Sequence, residues 1–173
     1  NHPLTLAGNF GEPRPNHFHA GIDVRTEHVE GKPIFSIADG YVSRIWSISS
    51  YFEENMKLLD DENLDALFNG NTIYTKVRDD NPTRYIAGAK VGNVMVADGC
   101  VIEGEVDNCV LFRGVKIAKG AKVSNCILMQ DTVVEEGTKL EYIIADKEVT
   151  ITAGKDLKGT DSYPVYIVKH GRV

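Results

Sequence analysis

Two histidines and an aspartate near the amino terminus have the residue types and the spacing of a metal site. His17 and His19 flank Phe18, so an extended backbone would place both imidazole rings on one face of a strand. Asp23 follows four residues later. Imidazole and carboxylate groups are ordinary zinc ligands, and a catalytic zinc needs three protein ligands and an open position for water. The spacing could give a makeshift site of His17, His19 and Asp23. The alternative is that these are ordinary polar residues of a truncated sheet.

The sequence around these residues is similar to a known family over residues 7–45. It resembles the opening of the lysostaphin-type zinc endopeptidases, which cut peptide crosslinks in bacterial cell walls. The shared residues are Asn9, Phe10, Gly11, Arg14, His19, Gly21, Asp23, Gly31, Pro33, Asp39 and Gly40. The resemblance implies that His19 and Asp23 are two of three protein zinc ligands. The family's later His-x-His and its catalytic histidine have no counterpart here, so we expect a remnant of a peptidase and not an active one.

A 17-residue repeat organises the second half of the sequence. Apolar residues and glycines recur at this spacing, and a shorter step of 15 residues precedes them. The repeated sets are Val106, Val123, Leu140 and Leu157, then Ile117, Val134 and Ile151, and then Gly120, Gly137 and Gly154. Self-similarity at a fixed short period is the signature of a solenoid.

Within each repeat, the positions that we predict to point inward step by six, five and six residues. They are Val106, Phe112, Ile117, Val123, Met129, Val134, Leu140, Asp146, Ile151 and Leu157. Such a near-hexad step, with small residues between, is typical of short strands joined by tight corners, three to a turn. The sequence therefore predicts a mainly β protein built on a triangular parallel β-helix. One alternative is that such a coil serves only as a scaffold.

A second resemblance covers residues 41–173, and it is to the carboxyl-terminal part of bacterial glucose-1-phosphate adenylyltransferase. The similarity is greatest to the regulatory-subunit paralogue that works beside the catalytic one. It is carried by residues 47–56, 74–79, 82–85, 97–100, 103–106 and 145–147. The resemblance implies a left-handed β-helix of hexapeptide-type coils that helps to form effector sites and tetramers. It also implies that Asp146 belongs to a loop where the coil pattern breaks.

Residues 46–88 are predicted to be a helical and extended connector between the two parts. Ser50 and Glu53 fit a capping box, Asn63 is a candidate cap for a second helix, and residues 73–77 suit a strand. We therefore divide the chain into residues 1–45, 46–88 and 89–173. The two resemblances meet inside residues 40–45 without a Gly-, Ser- or Pro-rich linker, which indicates a chimera.

These patterns favour one function over two others. No Gly-rich phosphate loop follows a strand, so no ATP or glucose-1-phosphate site is assigned. We expect an assembly and regulatory β-helix module of an adenylyltransferase subunit in glycogen biosynthesis, whose partners are further copies or the catalytic subunit. The first alternative is a remnant of a zinc-dependent cell-wall endopeptidase. The second, a hexapeptide acyltransferase, is disfavoured because no histidine lies between His28 and His170.

Composition excludes some partners. The net charge of −6 and the pI of about 5.4 argue against nucleic acid and anionic membranes, which favour basic surfaces. No run of 18 apolar residues predicts a membrane span. The opening Asn-His-Pro is not a signal peptide, and we expect a fragment or a processed product. Cys100, Cys109 and Cys126 suit core positions in a reducing compartment, which favours the cytoplasm.

Four further residues have ordinary explanations beside functional ones. Arg78, Arg84 and Lys147 could contact a phosphorylated effector, although such residues are commonly surface charges. Trp46, at the joint, is predicted to pack and not to bind a ligand.

Overall fold

A computed structural model describes residues 6–8, 23–24, 45–68 and 79–173, the first two segments for their backbone only. Contacts divide the chain into two units, Asn1–Asp39 and Gly40–Val173. In the first unit, β1 (Leu6–Gly8) pairs antiparallel with β2 (Asp23–Val24). The predicted divisions at residues 45 and 88 stay predictions.

Two helices open the described part of the second unit. Helix α1 (Ile48–Lys57) begins after Ser47, whose Oγ accepts a hydrogen bond from the Ser50 backbone at 3.0 Å. The Ser50 Oγ accepts in return from the Ser47 backbone at 2.9 Å. The predicted cap at Ser50 was therefore wrong by one turn, because Ser50 is the third helical residue and Ser47 is the cap.

Helix α2 (Asp61–Phe68) begins in the same way, three residues before its predicted cap. The Asp60 carboxylate accepts from the backbone of Glu62 at 3.1 Å and of Asn63 at 3.3 Å. Asn63 thus lies inside the first turn. No helix in the described part of the chain is long and apolar enough to cross a membrane.

The rest of the second unit is a stack of coils made from short parallel strands, four complete turns from Arg84 to Thr150. The strands are β3 (Arg84–Tyr85), β4 (Lys90–Val96), β5 (Val101–Ile102), β6 (Glu105–Leu111), β7 (Lys116–Ile117), β8 (Lys122–Leu128), β9 (Val133–Val134), β10 (Lys139–Glu141), β11 (Ile143–Ala145), β12 (Thr150–Ile151), β13 (Asp156–Lys158) and β14 (Val165–Ile167). This confirms the predicted parallel β-helix, and its left hand remains the expectation taken from the resemblance.

The coil has three faces, which we name by what lies on them. The ion-pair face is formed by residues 90–92, 105–107, 122–124, 139–141 and 156–158. The helix face is formed by residues 94–96, 109–111, 126–128, 143–145 and 165–167. The short-strand face is formed by β3, β5, β7, β9 and β12.

Asparagines form the corner between the ion-pair face and the helix face. Asn93, Asn108 and Asn125 have φ of 47°, 50° and 51°, in the left-handed region that Asn tolerates better than most residues. Their amides form a ladder, with Nδ2 of Asn93 donating to Asn108 at 2.9 Å and Nδ2 of Asn108 donating to Asn125 at 2.6 Å. The ladder ties three successive coils together on the outside.

One predicted inward column was wrong by a residue. Leu111 and Leu128 lie in the core inside the coil, with Ala145 in register with Leu128. Phe112 and Met129 instead belong to a second cluster outside it, against α1. Asp146 follows Ala145, so it is an outward residue and not a polar break in the core.

The short first step has a local cause at Gly104. A Cβ at this position would lie 2.5 Å from the Ala121 carbonyl oxygen and 3.0 Å from that of Ala118. Only glycine lets the chain pass so close to the next coil, and this tight corner omits the two residues that the other coils insert.

The carboxyl-terminal residues close the last coil. The Thr150 backbone donates to Gly171 at 2.9 Å, and the Thr152 backbone donates to Val173 at 2.8 Å. Val173 in turn donates to the Thr150 carbonyl and packs against the core. The end of the stack is therefore covered by backbone pairing as well as by an apolar side chain.

Candidate functional site

The predicted zinc site falls largely outside the described residues. His17 and His19 are not described, and Asp23 is described only as the first residue of β2, in register with Gly8. The site of His17, His19 and Asp23 therefore stays a prediction. In residues 45–68 and 79–173 no group of three or more His, Cys, Asp or Glu side chains could hold a metal ion.

The charges of the ion-pair face pair with one another across neighbouring coils. Glu105 lies between Lys90, at 2.9 Å, and Lys122, at 3.3 Å. The hydrogen bonds from these two ammonium groups, with Lys90 the larger cause, lower the pKa of the Glu105 carboxyl. Lys158 and Glu141 pair in the same way at 2.6 Å. This face therefore offers a partner little unpaired charge.

Helix α1 covers much of the helix face. Phe52, which is 5% exposed, packs with the outward side chains of Val110, Ile127 and Ile144. Its ring lies 6.1 Å from that of Tyr142, a favourable distance for a tilted aromatic pair. The covered face is thus a second, external apolar core that fixes α1 on the coils.

An apolar groove of about 380 Å³ remains beside the start of α1. It is lined by Ile45, Trp46, Ser47, Ile48, Tyr51, Met129, Ile144 and Tyr166. Trp46 is 77% exposed there, so the prediction that it packs was wrong.

The polar contact next to this groove joins Tyr166 to Asp146. The Tyr166 hydroxyl donates to Asp146 Oδ2 at 2.7 Å, and the Lys147 backbone N–H donates to Oδ1 at 2.7 Å. The Lys147 N–H and then the Tyr166 hydroxyl hold the pKa of Asp146 below its usual range. Burial, and next the Asp146 charge, raise the pKa of Tyr51. Asp146 is therefore an ionised anchor for two phenols.

The short-strand face is the face whose charges stay apart. Val101, Lys116 and Val133 form one outward column in register, and Glu103 and Glu135 lie in the column beside it. Between these glutamates lies a depression of about 500 Å³ over the small side chain of Ala118. Within the described chain Lys116 and Glu103 have no ion-pair partner, whereas Glu135 accepts from the Ala153 backbone at 3.0 Å. This face combines aliphatic surface with charges of both signs.

The three cationic residues considered for a phosphorylated effector are not brought together. Arg78 lies outside the described residues. Arg84 is at the first rung of the short-strand face, and Lys147 is at the corner that leads to Thr150, four rungs away. At about 4.8 Å per rung, that separation is roughly 19 Å. Arg84 and Lys147 therefore cannot grip one phosphate together.

The three cysteines occupy the interior as predicted. All are free and buried. Burial raises the pKa of Cys126, whose neighbour Cys109 raises it further, and burial likewise raises the pKa of Cys100. These thiols are core side chains and not reactive groups.

Parallel strands of two to seven residues, three outer faces and glycine or asparagine corners define a hexapeptide-repeat solenoid. Residues 77–163, about half of the chain, match the family described as GlmU-like, C-terminal hexapeptide. The chain belongs to that family.

Comparison with curated proteins gives closer relatives. The chain is 47% identical to the "Glycogen biosynthesis protein GlgD" of Bacillus subtilis (strain 168) over 131 residues, 75% of this chain and 38% of the relative. Identity to the same-named protein of Geobacillus stearothermophilus is 56% over 120 residues, 69% of this chain and 35% of the relative. Identity to the "Glucose-1-phosphate adenylyltransferase" of Geobacillus stearothermophilus is 41% over 86 residues, 49% of this chain and 22% of the relative. The chain thus spans less than two fifths of these relatives.

Sequence reasoning missed the arrangement on the short-strand face. Lys116 lies 15 residues after Val101 and 17 before Val133, which is the spacing of the repeat itself. Extending the repeat from inward to outward positions would have aligned these side chains. The contrast with the paired charges of the ion-pair face required the structure.

Proposed function

We propose that this chain is an assembly and regulatory β-helix module of a glucose-1-phosphate adenylyltransferase-type subunit in glycogen biosynthesis. The observation that carries the proposal is the 47–56% identity to two glycogen biosynthesis proteins across the coil region. Its partners are further copies of itself or a catalytic adenylyltransferase subunit. We place it in the cytoplasm, where such synthesis occurs.

The coil suits this role physically. Parallel strands hold the outward side chains in straight columns about 4.8 Å apart, so each face is a rigid surface. The stacked core and α1 fix these columns without needing a ligand. A rigid surface loses little conformational entropy on docking, which favours association.

The test is to mix the chain with the catalytic adenylyltransferase of Geobacillus stearothermophilus. We expect the two to sediment together and the rate of adenylyl transfer to change with the amount of chain added. The control is Val115→Asp, which places a carboxylate at a fully buried position and should abolish binding by unfolding the coils. A strict monomer that neither binds this enzyme nor alters its rate would contradict the proposal.

For residues 7–45 we propose a separate origin, as a remnant of a lysostaphin-type endopeptidase joined to the coils in a chimera. The support is the shared motif around His19 and Asp23. We propose zinc binding there, and no hydrolysis.

A further inference from the structure

The three faces differ in what they leave for a partner. The ion-pair face neutralises its own charges, and the helix face is largely covered by α1. The short-strand face keeps Lys116 and Glu103 without ion-pair partners among the described residues, around a depression of about 500 Å³. Charges of both signs on one flat surface are what a self-complementary contact requires.

The positions of these charges specify how two copies would meet. In the first column Lys116 lies between Val101 and Val133. In the second column, at the same three rungs, Ala118 lies between Glu103 and Glu135. A two-fold axis that lies in the contact plane, parallel to the coil axis, exchanges the two columns and keeps every rung level. That operation places each Lys116 over the small Ala118 of the other copy, one rung from each glutamate.

We propose that the short-strand face is a homodimer contact in which Lys116 of each copy inserts into the depression between Glu103 and Glu135 of the other. Val101 and Val133 then pack against the aliphatic stems of those glutamates. An antiparallel pairing about an axis across the strands would oppose each column to itself, and Lys116 would meet no carboxylate. The charges therefore select parallel coils.

The size of the face limits the strength of this dimer. Five rungs at about 4.8 Å, with two outward columns, offer roughly 350 Å² per copy. That area is below the roughly 800 Å² per partner of a standard stable complex, so we expect association in the micromolar to millimolar range. Because the attraction is between partly exposed charges, it should weaken as salt is added.

The inference deepens the assembly role proposed above and rests on it, because it assigns one surface and one partner to that role. Its failure is separable from failure of that role. A chain that stays monomeric but still binds the catalytic adenylyltransferase would overturn this dimer alone.

The experiment is sedimentation of the whole chain and of charge-reversed variants at concentrations up to about 1 mM. We expect the wild type to dimerise. Lys116→Glu should be monomeric, because two copies then oppose carboxylate to carboxylate. The double variant Glu103→Lys with Glu135→Lys should be monomeric because ammonium groups oppose each other.

Mixing the two variants is the decisive arm. In a mixed pair both symmetric contacts regain opposite charges, so we expect a heterodimer at least tenfold tighter than either variant alone. Lys147→Glu, which reverses an exposed charge at another corner, is the matched control and should dimerise like the wild type. A monomeric wild type, a dimeric Lys116→Glu, or a mixture without heterodimer would each overturn the proposal. Because the variants are read by their recovery on mixing, simple unfolding would not imitate the expected result.

Discussion

The hydrogen bond between Tyr166 and Asp146 predicts a pH-dependent contribution to stability. Asp146 has a lowered pKa in the folded chain, against about 3.9 when unfolded. Its contribution is therefore present above pH of about 4 and is lost as pH falls through the folded pKa. We expect Tyr166→Phe to raise the pKa of Asp146 and to lower stability at neutral pH only slightly, because both groups are largely exposed.

NMR titration of the Asp146 carboxyl, together with urea unfolding at several pH values, checks this. The matched control is Tyr163→Phe, which removes a phenol that is 78% exposed and has no hydrogen-bond partner in the described structure. An unchanged Asp146 pKa in Tyr166→Phe would contradict the assignment.

The asparagine ladder gives a second prediction at the residue scale. Asn108 both donates to Asn125 and accepts from Asn93, with φ of 50°. Asn108→Gly keeps the backbone and loses two partly exposed hydrogen bonds, so we expect a loss of about 1–2 kcal/mol in the free energy of unfolding. Asn108→Ala should cost about 1 kcal/mol more, because alanine disfavours the left-handed region.

Denaturant unfolding measures both losses. Asn93→Gly, at the end of the ladder, is the control and should lose about half as much as Asn108→Gly. Equal stability of all four proteins would show that the ladder is only a geometric pattern.

The zinc prediction also belongs to single residues. If His19 and Asp23 are ligands, calorimetric titration should show one zinc per chain in the wild type and none in His19→Ala or Asp23→Ala. His28→Ala, a nearby histidine outside the motif, should bind as the wild type does. No zinc binding by the wild type would reject the site and leave the coils as the functional part.

At the scale of elements, α1 is held by one aromatic anchor. Phe52→Ala leaves a cavity between α1 and the outward residues Ile127 and Ile144, so we expect a loss of about 3 kcal/mol. Amide hydrogen exchange should quicken in Ile48–Lys57 more than in the coil strands, because the helix detaches while the inner core persists. The same truncation at Phe68, which is 50% exposed, should cost under about 1 kcal/mol. Unchanged exchange in α1 would contradict this anchoring.

The elements also show where the sequence was ambiguous. Leu111 and Phe112 are both apolar, as are Leu128 and Met129, so periodicity alone cannot say which member of each pair points inward. The outer member is apolar because α1 covers it, and this contact is not local in sequence. The cap of α1 was missed for a related reason, since Ser47 and Ser50 both have side chains suited to capping.

At the scale of the whole molecule, the carboxyl terminus acts as a lid on the stack. Removing Arg172 and Val173 deletes the backbone pairing to Thr150 and Thr152 and uncovers apolar core. We expect a loss of about 3 kcal/mol, mostly from three hydrogen bonds and one apolar contact. Urea unfolding measures it, and Val173→Ser, which keeps the backbone bonds, should lose about a third as much. A truncated chain as stable as the wild type would show that the last coil closes without this lid.

The overall architecture was largely readable from the sequence, because a 17-residue period constrains every coil at once. Val106, Val123 and Leu140 do stack in register as that period requires. The use of each face was not readable. Whether a surface lysine is paired depends on its neighbours in the adjacent coils, as the contrast between Lys122 and Lys116 shows.

The constant step from Glu105 onward has an evolutionary consequence. Inserting or deleting 17 residues, such as 122–138, would return every later column to its own face and leave the closing lid unchanged. A change of any other length would rotate the following strands onto the wrong face and bury their charges. Lineages of this fold can therefore lengthen or shorten only by whole coils, while the tight passage at Gly104 marks the one place where two residues could be dropped.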